Sequence, residues 1–356
     1  MPEISIIVPN YNTAQFLPRC LDSLINQTFS DIEIICIDNN STDNSLEILK
    51  QYAQNDNRVK VFCETQSGAA VARNLGLENA TGKYLMFCDS DDWYEPNTCE
   101  IMHKTIEQKQ VDVVCCHAFL ELQDGLSETE KVIRSEEKYY NLKKYGKFSI
   151  TDKVRLKTNV LLWNKIWRRD LIEKYHIRFP QGHEHEDDAF WFMYSFIANS
   201  IYYLKKKLYH YFIRQGSVMS SVVNKKPKNK MDRILVSHCI CNFLMEHKLF
   251  DTFKQSMLKI YCLEFKCARS FFSDEEKQQL CDDLNKYLEM HTKDPTSFIY
   301  CDDNFIPSYR HKSIVQLYLE KFWYSIQYRL AQNEKKRIKY QRKLQKTLMF
   351  LKQKEK

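Results

Sequence analysis

The sequence predicts an α/β protein with a mostly parallel sheet flanked by helices, followed by a C-terminal helical extension. Three observations lead to this prediction. Short apolar segments alternate with helical patterns through the first 115 residues. Several of these segments end in Asn or Asp, as strands do at the ligand-binding edge of a parallel sheet. After Met231 the sequence shows only helical periodicity.

The predicted elements follow in order. Strands are predicted at residues 5–8, 32–38, 59–62, 84–88 and 111–115. A first helix is predicted from the apolar stripe of Phe16, Cys20, Leu21 and Leu24, and a second from the start signal Ser41-Thr42-Asp43. Two more helices are predicted at residues 69–77 and 96–109. Continuous apolar strands are typical of a sheet that is covered on both faces. Residues 123–157 are polar and weakly periodic and predict a loop region, with regular structure resuming at 161–167.

Composition narrows the classes of protein that fit. Hydrophobic residues make up 44% of the chain, enough for a sizeable core, yet no charge-free run approaches the roughly 20 residues of a membrane helix. The N-terminus lacks the basic and apolar regions of a signal peptide. The 13 cysteines form no C-x-x-C pair. We therefore expect a protein of the reducing cytoplasm.

The positive charge is concentrated at the C-terminus. The net charge is +7, and residues 321–356 hold 12 Lys and Arg against two Glu, so the remainder is mildly acidic. Aromatic and aliphatic residues at helical spacing precede the lysines, which suits the inner face of a cytoplasmic membrane with anionic lipids. An ordinary helix packed on the α/β body is the alternative. Nucleic acid is disfavoured because no recognition module accompanies the charge.

Three carboxylates, Asp89, Asp91 and Asp92, fall within four positions directly after the apolar segment Y-L-M-F-C. Like charges so close together destabilise a fold unless a cation or strong donors neutralise them. Oxygen ligands favour Mn²⁺ or Mg²⁺, and the chain has no G-x-G-x-x-G or Walker A segment that could hold phosphates instead. The alternative is a polar turn in which Asp92 caps the next helix.

Six segments together resemble glycosyltransferase family 2, a group of inverting, nucleotide-sugar-dependent enzymes with the GT-A fold. They are I-S-I-I-V-P-N-Y-N at 4–12, I-I-C-I-D-N-N-S-T-D at 34–43, G-A-A-V-A-R-N at 68–74, Y-L-M-F-C-D-S-D-D at 84–92, W-N-K-I-W-R-R at 163–169 and H-E-D-D-A-F at 185–190. The resemblance covers about residues 3–220. Asn40 stands where the family usually has glycine, which is acceptable because Asn tolerates a left-handed backbone.

The resemblance implies roles for the donor-side residues. Pro9 and Tyr11 would frame the nucleotide base, and Asp38 would accept hydrogen bonds from the uracil or the ribose. Arg73 would lie near the nucleotide base and near the pair Asp89 and Asp91. Asp89 would contact the ribose or the metal, and Asp91 would bind the metal that bridges the diphosphate. A solvated charge is the alternative for Arg73, and a helix N-cap is the alternative for Asp38.

On the acceptor side, the resemblance places the catalytic base in the Glu186-Asp187 pair, at Asp187. Lys165 would touch a phosphate or the acceptor, although packing beside tryptophans is an alternative. Arg214 or His210 would reach the diphosphate. A competing hypothesis is a metal site built from the H-E-H-E run at residues 183–186.

These expectations combine into one prediction. Residues 1–220 would form a GT-A catalytic domain, with a nucleotide-sugar half at 1–120 and an acceptor half at 121–220, and residues 221–356 a helical region with a basic tail. The protein would be a metal-dependent inverting hexosyltransferase that moves a hexose or N-acetylhexosamine from a nucleotide-diphospho-sugar, with UDP the expected carrier, to a growing cell-surface glycan. That glycan would be lipopolysaccharide, lipooligosaccharide or capsule.

Two alternatives belong to other functional classes. A metal-dependent nucleotidyltransferase would need a glycine- and lysine-rich loop, which residues 9–13 do not supply. A non-catalytic glycan- or membrane-binding protein that keeps the fold should tolerate loss of the acidic groups, yet Asp38, Asp89, Asp91 and Asp187 are all present.

Overall fold

The computed structural model describes residues 1–124, 145–214, 231–268, 272, 273 and 275 of the chain. Contacts divide the chain into two compact units, Met1–Met257 and Leu258–Lys356. All of the predicted site residues belong to the first unit. The predicted domain boundary near residue 220 and the basic tail at 321–356 lie outside the described residues.

A nine-stranded mixed sheet forms the centre of the first unit, as the α/β prediction requires. Its strands are β1 (Ile4–Asn10), β2 (Ile32–Asp38), β3 (Val59–Cys63), β4 (Tyr84–Phe87), β5 (Trp93–Tyr94), β6 (Val113–Leu122), β7 (Gly146–Ser149), β8 (Lys165–Arg168) and β9 (Ser200–Ile213). Their order is β3-β2-β1-β4-β8-β6-β9-β5, and β7 pairs with β9. The first four strands are mutually parallel, as are β6 and β9, whereas β8, β5 and β7 pair antiparallel with their neighbours.

Nine described helices accompany this sheet or follow it. They are α1 (Leu17–Ile25), α2 (Ser45–Asn55), α3 (Ala69–Asn79), α4 (Thr98–Lys109), α5 (Asp152–Lys157), α6 (Arg169–Lys174), α7 (Glu186–Ile197), α8 (Asp232–Glu246) and α9 (Phe250–Ala268). In α1 the predicted stripe residues Cys20, Leu21 and Leu24 are buried together with Leu17, whereas Phe16 precedes the helix as its N-cap and is half-buried. None of the helices in the described part of the chain is long and apolar enough to span a membrane.

The structure differs from the predicted loop at 123–157. Strand β7 and helix α5 lie inside that range, although their four and six residues are too short to show a clear period in the sequence. Strand β7 forms because it pairs along its length with β9, from Gly146 opposite Tyr203 to Ser149 opposite Ser200. Tertiary pairing, which the local sequence does not encode, supplies this strand.

The parallel register brings the ends of β1 and β2 together. Asn10 is paired with Asp38, so the last residues of the two strands are neighbours. Helix α3 packs closely on β1 at Gly76, where an added Cβ would lie 2.4 Å from Cγ2 of Ile7. That close approach places Arg73, one turn earlier in α3, near the same edge of the sheet.

Candidate active site

Asp38 is fixed by groups from the two strand ends that meet at this edge. One carboxylate oxygen accepts a hydrogen bond from Nδ2 of Asn10 at 2.9 Å, and the other accepts one from the backbone N–H of Ser41 at 3.2 Å. Asn10 is itself held, since its Oδ1 accepts a hydrogen bond from Oγ1 of Thr13 at 2.5 Å. Asp38 is buried, with 3% of its surface exposed. These hydrogen bonds therefore fix the orientation of Asp38, the carboxylate predicted to bind the donor.

The loop after β2 confirms the expectation for Asn40. Its backbone is left-handed, with φ at +60°, as the glycine usually found there would allow. The neighbouring Asn39 ties the end of β2 to the loop before α3, because its Nδ2 donates to the carbonyl of Gln66 at 2.7 Å while its Oδ1 accepts from the N–H of Gly68 at 2.8 Å. No local pattern in the sequence indicates this role, because the partners of Asn39 lie more than 25 residues away along the chain.

Pro9 and Tyr11, the residues expected to frame a base, lie at the end of β1 and directly after it. Pro9 pairs with Ile37 within the sheet. Tyr11 is 58% exposed. Tyr11 directly follows Asn10, which donates to the Asp38 carboxylate, and an exposed aromatic ring suits stacking on a nucleobase.

The acidic loop after β4 is neutralised by arginines in this structure. Asp89 accepts a hydrogen bond from Nη2 of Arg73 at 3.2 Å, and Asp91 accepts one from Nε of Arg214 at 2.8 Å. Burial raises the pKa of Asp89, and the charge of Arg73 opposes that rise. The strong donors expected for this cluster are thus supplied from α3 and from the end of β9.

Asp92 does not cap a helix, and that alternative is wrong. Helix α4 begins at Thr98 with Asn97 as its N-cap. Asp92 is buried, and its two oxygens accept hydrogen bonds from the hydroxyl of Tyr209 at 2.6 Å and from the N–H of Phe212 at 2.7 Å. Burial raises its pKa well above the usual range, and the charges of Asp91 and Asp89 add to the rise. Its partners on β9 give it a structural role.

Arg73 connects the acidic loop with the predicted base. Besides Asp89 it contacts Glu186, with 2.6 Å between its Nη1 and Oε1 of that glutamate. Burial alone would lower the pKa of Arg73, but the charges of Asp89, Glu186 and Asp187 raise it overall. The alternative of a solvated charge is wrong, because only 12% of the side chain is exposed.

Asp187 lies in the first turn of α7, beside Glu186. Its Oδ1 accepts a hydrogen bond from the N–H of Asp188 at 3.0 Å, as carboxylates at a helix N-terminus commonly do. The pKa of Asp187 is raised to about 6, chiefly by burial and also by the charge of Glu186, while the charge of Arg73 opposes the rise. A carboxylate with a pKa close to neutrality is suited to proton transfer.

Helix α8 supports this acidic segment, which the sequence did not indicate. Asp232 accepts a hydrogen bond from the N–H of Glu184 at 2.9 Å, and Arg233 forms an ion pair with Asp188 at 3.2 Å.

The competing metal site differs in its residues from the H-E-H-E run at 183–186. Ligand atoms of His185, Asp187 and Asp188 lie within 4.8 Å of one another. Burial lowers the pKa of His185 to about 4, so its imidazole is neutral at pH 7.

Lys165 and His210 are engaged by protein groups. Lys165 is fully buried, and its ammonium donates to the carbonyls of Asn159 and Leu161 and to the side-chain oxygens of Asn159 and Asn164. Burial lowers its pKa to about 8. The ring of His210 is stacked between Trp93 and Phe119 and contacts carboxylates of Glu95 and Glu121. A donor contact by either side chain stays a prediction.

The residues after β4 fit a divalent cation that is completed by substrate. Mg²⁺ is often held by one or two carboxylates together with substrate phosphates. Asp89 and Asp91 lie on one loop, and among the described residues each keeps one carboxylate oxygen that accepts no hydrogen bond. Those oxygens are the ones that could bind Mn²⁺ or Mg²⁺.

Comparisons with known proteins agree with this arrangement. The family model for "Glycosyl transferase family 2" matches residues 5–175. EpsH of Bacillus subtilis, named as a glycosyltransferase, is 35% identical over 260 residues, which are 72% of this chain and 73% of EpsH. The chain belongs to glycosyl transferase family 2. This chain is also 28% identical over 305 residues to the cholesterol galactosyltransferase of Borreliella burgdorferi, and the match covers 80% of this chain and 83% of that protein.

A solved structure shares the fold. The crystal structure of Staphylococcus aureus TarS 1–349 in complex with UDP-GlcNAc superposes with a TM-score of 0.59 at 23% identity, and the match covers 81% of each chain. The likeness confirms the predicted GT-A architecture.

Proposed function

We propose that the protein is an inverting glycosyltransferase that moves a hexose or N-acetylhexosamine from a nucleotide-diphospho-sugar, with UDP as the carrier, to a growing cell-surface glycan such as lipopolysaccharide, lipooligosaccharide or capsule. The observation that carries the proposal is the Arg73 bridge, which joins Asp89 on the donor side to Glu186 beside the base. Two similar proteins support the chemistry, because TarS was crystallised with UDP-GlcNAc and the Borreliella relative is named a galactosyltransferase.

On the donor side, Tyr11 would stack on the base and Asp38 would accept hydrogen bonds from the uracil or ribose. Asp38 can do so because a carboxylate has about four lone-pair sites, and groups among the described residues donate to only two of them. A Mn²⁺ or Mg²⁺ ion held by Asp89 and Asp91 would supply positive charge that stabilises the leaving diphosphate as a Lewis acid.

In the displacement, the acceptor hydroxyl oxygen forms a bond to the sugar C1 while the bond from C1 to the diphosphate oxygen breaks. The electron pair of the broken bond leaves with the nucleoside diphosphate. Asp187 accepts the proton of the hydroxyl, and its pKa of about 6 suits a base that is ionised at neutral pH yet able to take a proton. Arg73 holds Glu186 next to it through an ion pair.

Contact between the basic segment 321–356 and the inner face of the cytoplasmic membrane belongs to the same proposal. It rests on charge and spacing in the sequence, because the segment lies outside the described residues.

The test is a screen of UDP-, GDP- and dTDP-sugars for donor hydrolysis and transfer, with and without Mn²⁺ and Mg²⁺. We expect turnover of a UDP-sugar that requires the cation and is abolished by Asp91→Ala. The matched control is Asp124→Ala, which changes an exposed acidic residue two positions beyond the end of β6. Turnover that is unaffected by chelation would overturn the metal-dependent part of the proposal, and no turnover with any nucleotide-sugar would overturn the donor class.

A further inference from the structure

The two carboxylates proposed to bind the cation differ in how firmly their arginines are held. Arg73 has two carboxylate partners, Asp89 and Glu186, and is largely buried. Arg214 contacts Asp91 through Nε at 2.8 Å, and its guanidinium otherwise lies over the ring of Phe16 at 4.9 Å. Both members of the Arg214–Asp91 pair are about one-fifth exposed. Arg214 is therefore the arginine that can move at lower cost.

A divalent cation and Arg214 compete for Asp91 by simple electrostatics. An ion bound to either carboxylate oxygen, at the usual distance of about 2.1 Å, would lie roughly 5 Å or less from the guanidinium. Positive charges at that separation repel each other strongly in a partly buried site. The ion pair therefore lowers the affinity of Asp91 for a cation that arrives alone.

A nucleotide diphosphate changes this balance because it offers Arg214 another anionic partner. Phosphate oxygens are good ligands for a guanidinium, which binds them through parallel hydrogen bonds. We propose that Arg214 and the divalent cation are alternative partners of Asp91, so that the site takes up the cation together with the nucleotide diphosphate while Arg214 transfers from Asp91 to the phosphates. This inference rests on the proposed function and deepens it, since it couples the binding of the cation to the binding of the donor.

The backbone of the acidic loop is anchored independently of this exchange. Arg19 donates from Nη2 to the carbonyl of Asp91 at 3.3 Å, and its guanidinium lies 3.6 Å from the ring centroid of Trp93. Asp92 ties the next residue to β9 through Tyr209 and Phe212. The side chain of Asp91 can therefore change partner while its main chain stays in place.

The experiment measures Mn²⁺ binding directly by electron paramagnetic resonance of the free ion, with no turnover required. The wild type, Arg214→Gln and the control Arg178→Gln, which alters an arginine paired with Glu173 on α6, are titrated with MnCl₂ alone and in the presence of UDP, GDP or dTDP. In the wild type, UDP should tighten Mn²⁺ binding strongly. In Arg214→Gln, Mn²⁺ alone should bind about ten-fold more tightly than in the wild type, and the gain from UDP should shrink. Thermal melting checks that each variant is folded.

Two negative outcomes are distinguishable. If Arg214→Gln binds Mn²⁺ alone no more tightly than the wild type, while UDP still promotes binding in the wild type, the exchange is wrong and the proposed function stands. If the wild type binds no Mn²⁺ with UDP, GDP or dTDP, both the exchange and the metal-dependent part of the proposed function are overturned. Asp91→Asn in the same titration should abolish Mn²⁺ binding, and retained binding would also contradict the exchange.

Discussion

Arg73 donates a hydrogen bond to Glu186 at 2.6 Å across 113 positions of the sequence. The contact joins α3, which packs on the donor-side strands, to the first turn of α7, which carries the proposed base. Because the same guanidinium also contacts Asp89, it fixes the distance between the donor carboxylate and the base-bearing turn. Geometry of this kind matters because small displacements of reacting groups reduce rates strongly.

The bridge predicts the effect of Arg73→Lys. A lysine ammonium is a single point charge and cannot satisfy two carboxylates with the fork geometry of a guanidinium. We expect kcat to fall by about 10²-fold, as misplacement of catalytic groups commonly causes. The acidic limb of the pH–rate profile should stay near its original position, because the positive charge is retained. Steady-state kinetics over a pH series measures both, with Arg178→Lys as the control. An unchanged kcat would contradict the bridge.

Asp187→Asn removes the proposed base while keeping size and hydrogen bonding. We expect turnover to fall by about 10²–10⁴-fold, the usual contribution of a general base. Donor binding should survive, because Asp38, Asp89 and Asp91 are unchanged. Single-turnover transfer assays and calorimetric titration with UDP measure the two effects separately. Undiminished turnover in this variant would remove the assignment of Asp187 as the base, whereas loss of UDP binding would indicate a structural role.

The pH dependence of transfer should report on Asp187. The base acts when ionised, so kcat/KM should fall as the pH drops through about 6, the raised pKa of this carboxyl. The charge of Glu186 contributes to the raised pKa. Glu186→Gln removes that charge but keeps a hydrogen-bond acceptor for Arg73, and it should therefore move the acidic limb to lower pH. A limb that stays in place, or moves to higher pH, would show that another group controls the profile.

Features set by local pattern were predictable from the sequence. The strand that ends at Asp38, the buried stripe of α1 and the left-handed backbone at Asn40 all follow from apolar runs, helical spacing and residue type. The three closely spaced carboxylates after β4 also indicate, from the sequence alone, a need for neutralising partners. What the sequence could not supply was the identity of the groups that neutralise them.

The missing partners lie far away along the chain. Arg214 is 123 residues from its partner Asp91. Asp232, which accepts a hydrogen bond from the N–H of Glu184, is 48 residues from that donor. These contacts depend on how β9 and α8 pack, and periodicity carries no information about such packing. The short strand β7 was missed for the same reason, because its existence depends on pairing with β9.

The revised role of Asp92 gives a prediction about stability. Replacing it by Ala leaves the hydroxyl of Tyr209 and the N–H of Phe212 without an acceptor, and each unsatisfied buried group costs about 1–3 kcal/mol. We therefore expect Asp92→Ala to lower the free energy of unfolding by several kcal/mol. A helix cap would cost only about 1 kcal/mol. Chemical denaturation measures the difference, with the exposed Asp124→Ala as the control.

Asp92→Asn should lower the free energy of unfolding less than Asp92→Ala does, and it should show whether the Asp92 carboxyl is charged in the folded protein. Because burial raises the pKa of Asp92 in the folded protein, the folded state binds the proton more tightly than the unfolded state does. The wild type therefore loses stability as the pH rises from the ordinary carboxyl pKa of about 4 toward the raised value. The asparagine variant lacks this loss, so its deficit relative to the wild type should narrow as the pH rises through that window. Melting curves of both proteins across the same pH series test this, and a deficit that widens would mean that Asp92 is stabilised as a charged carboxylate by its two donors.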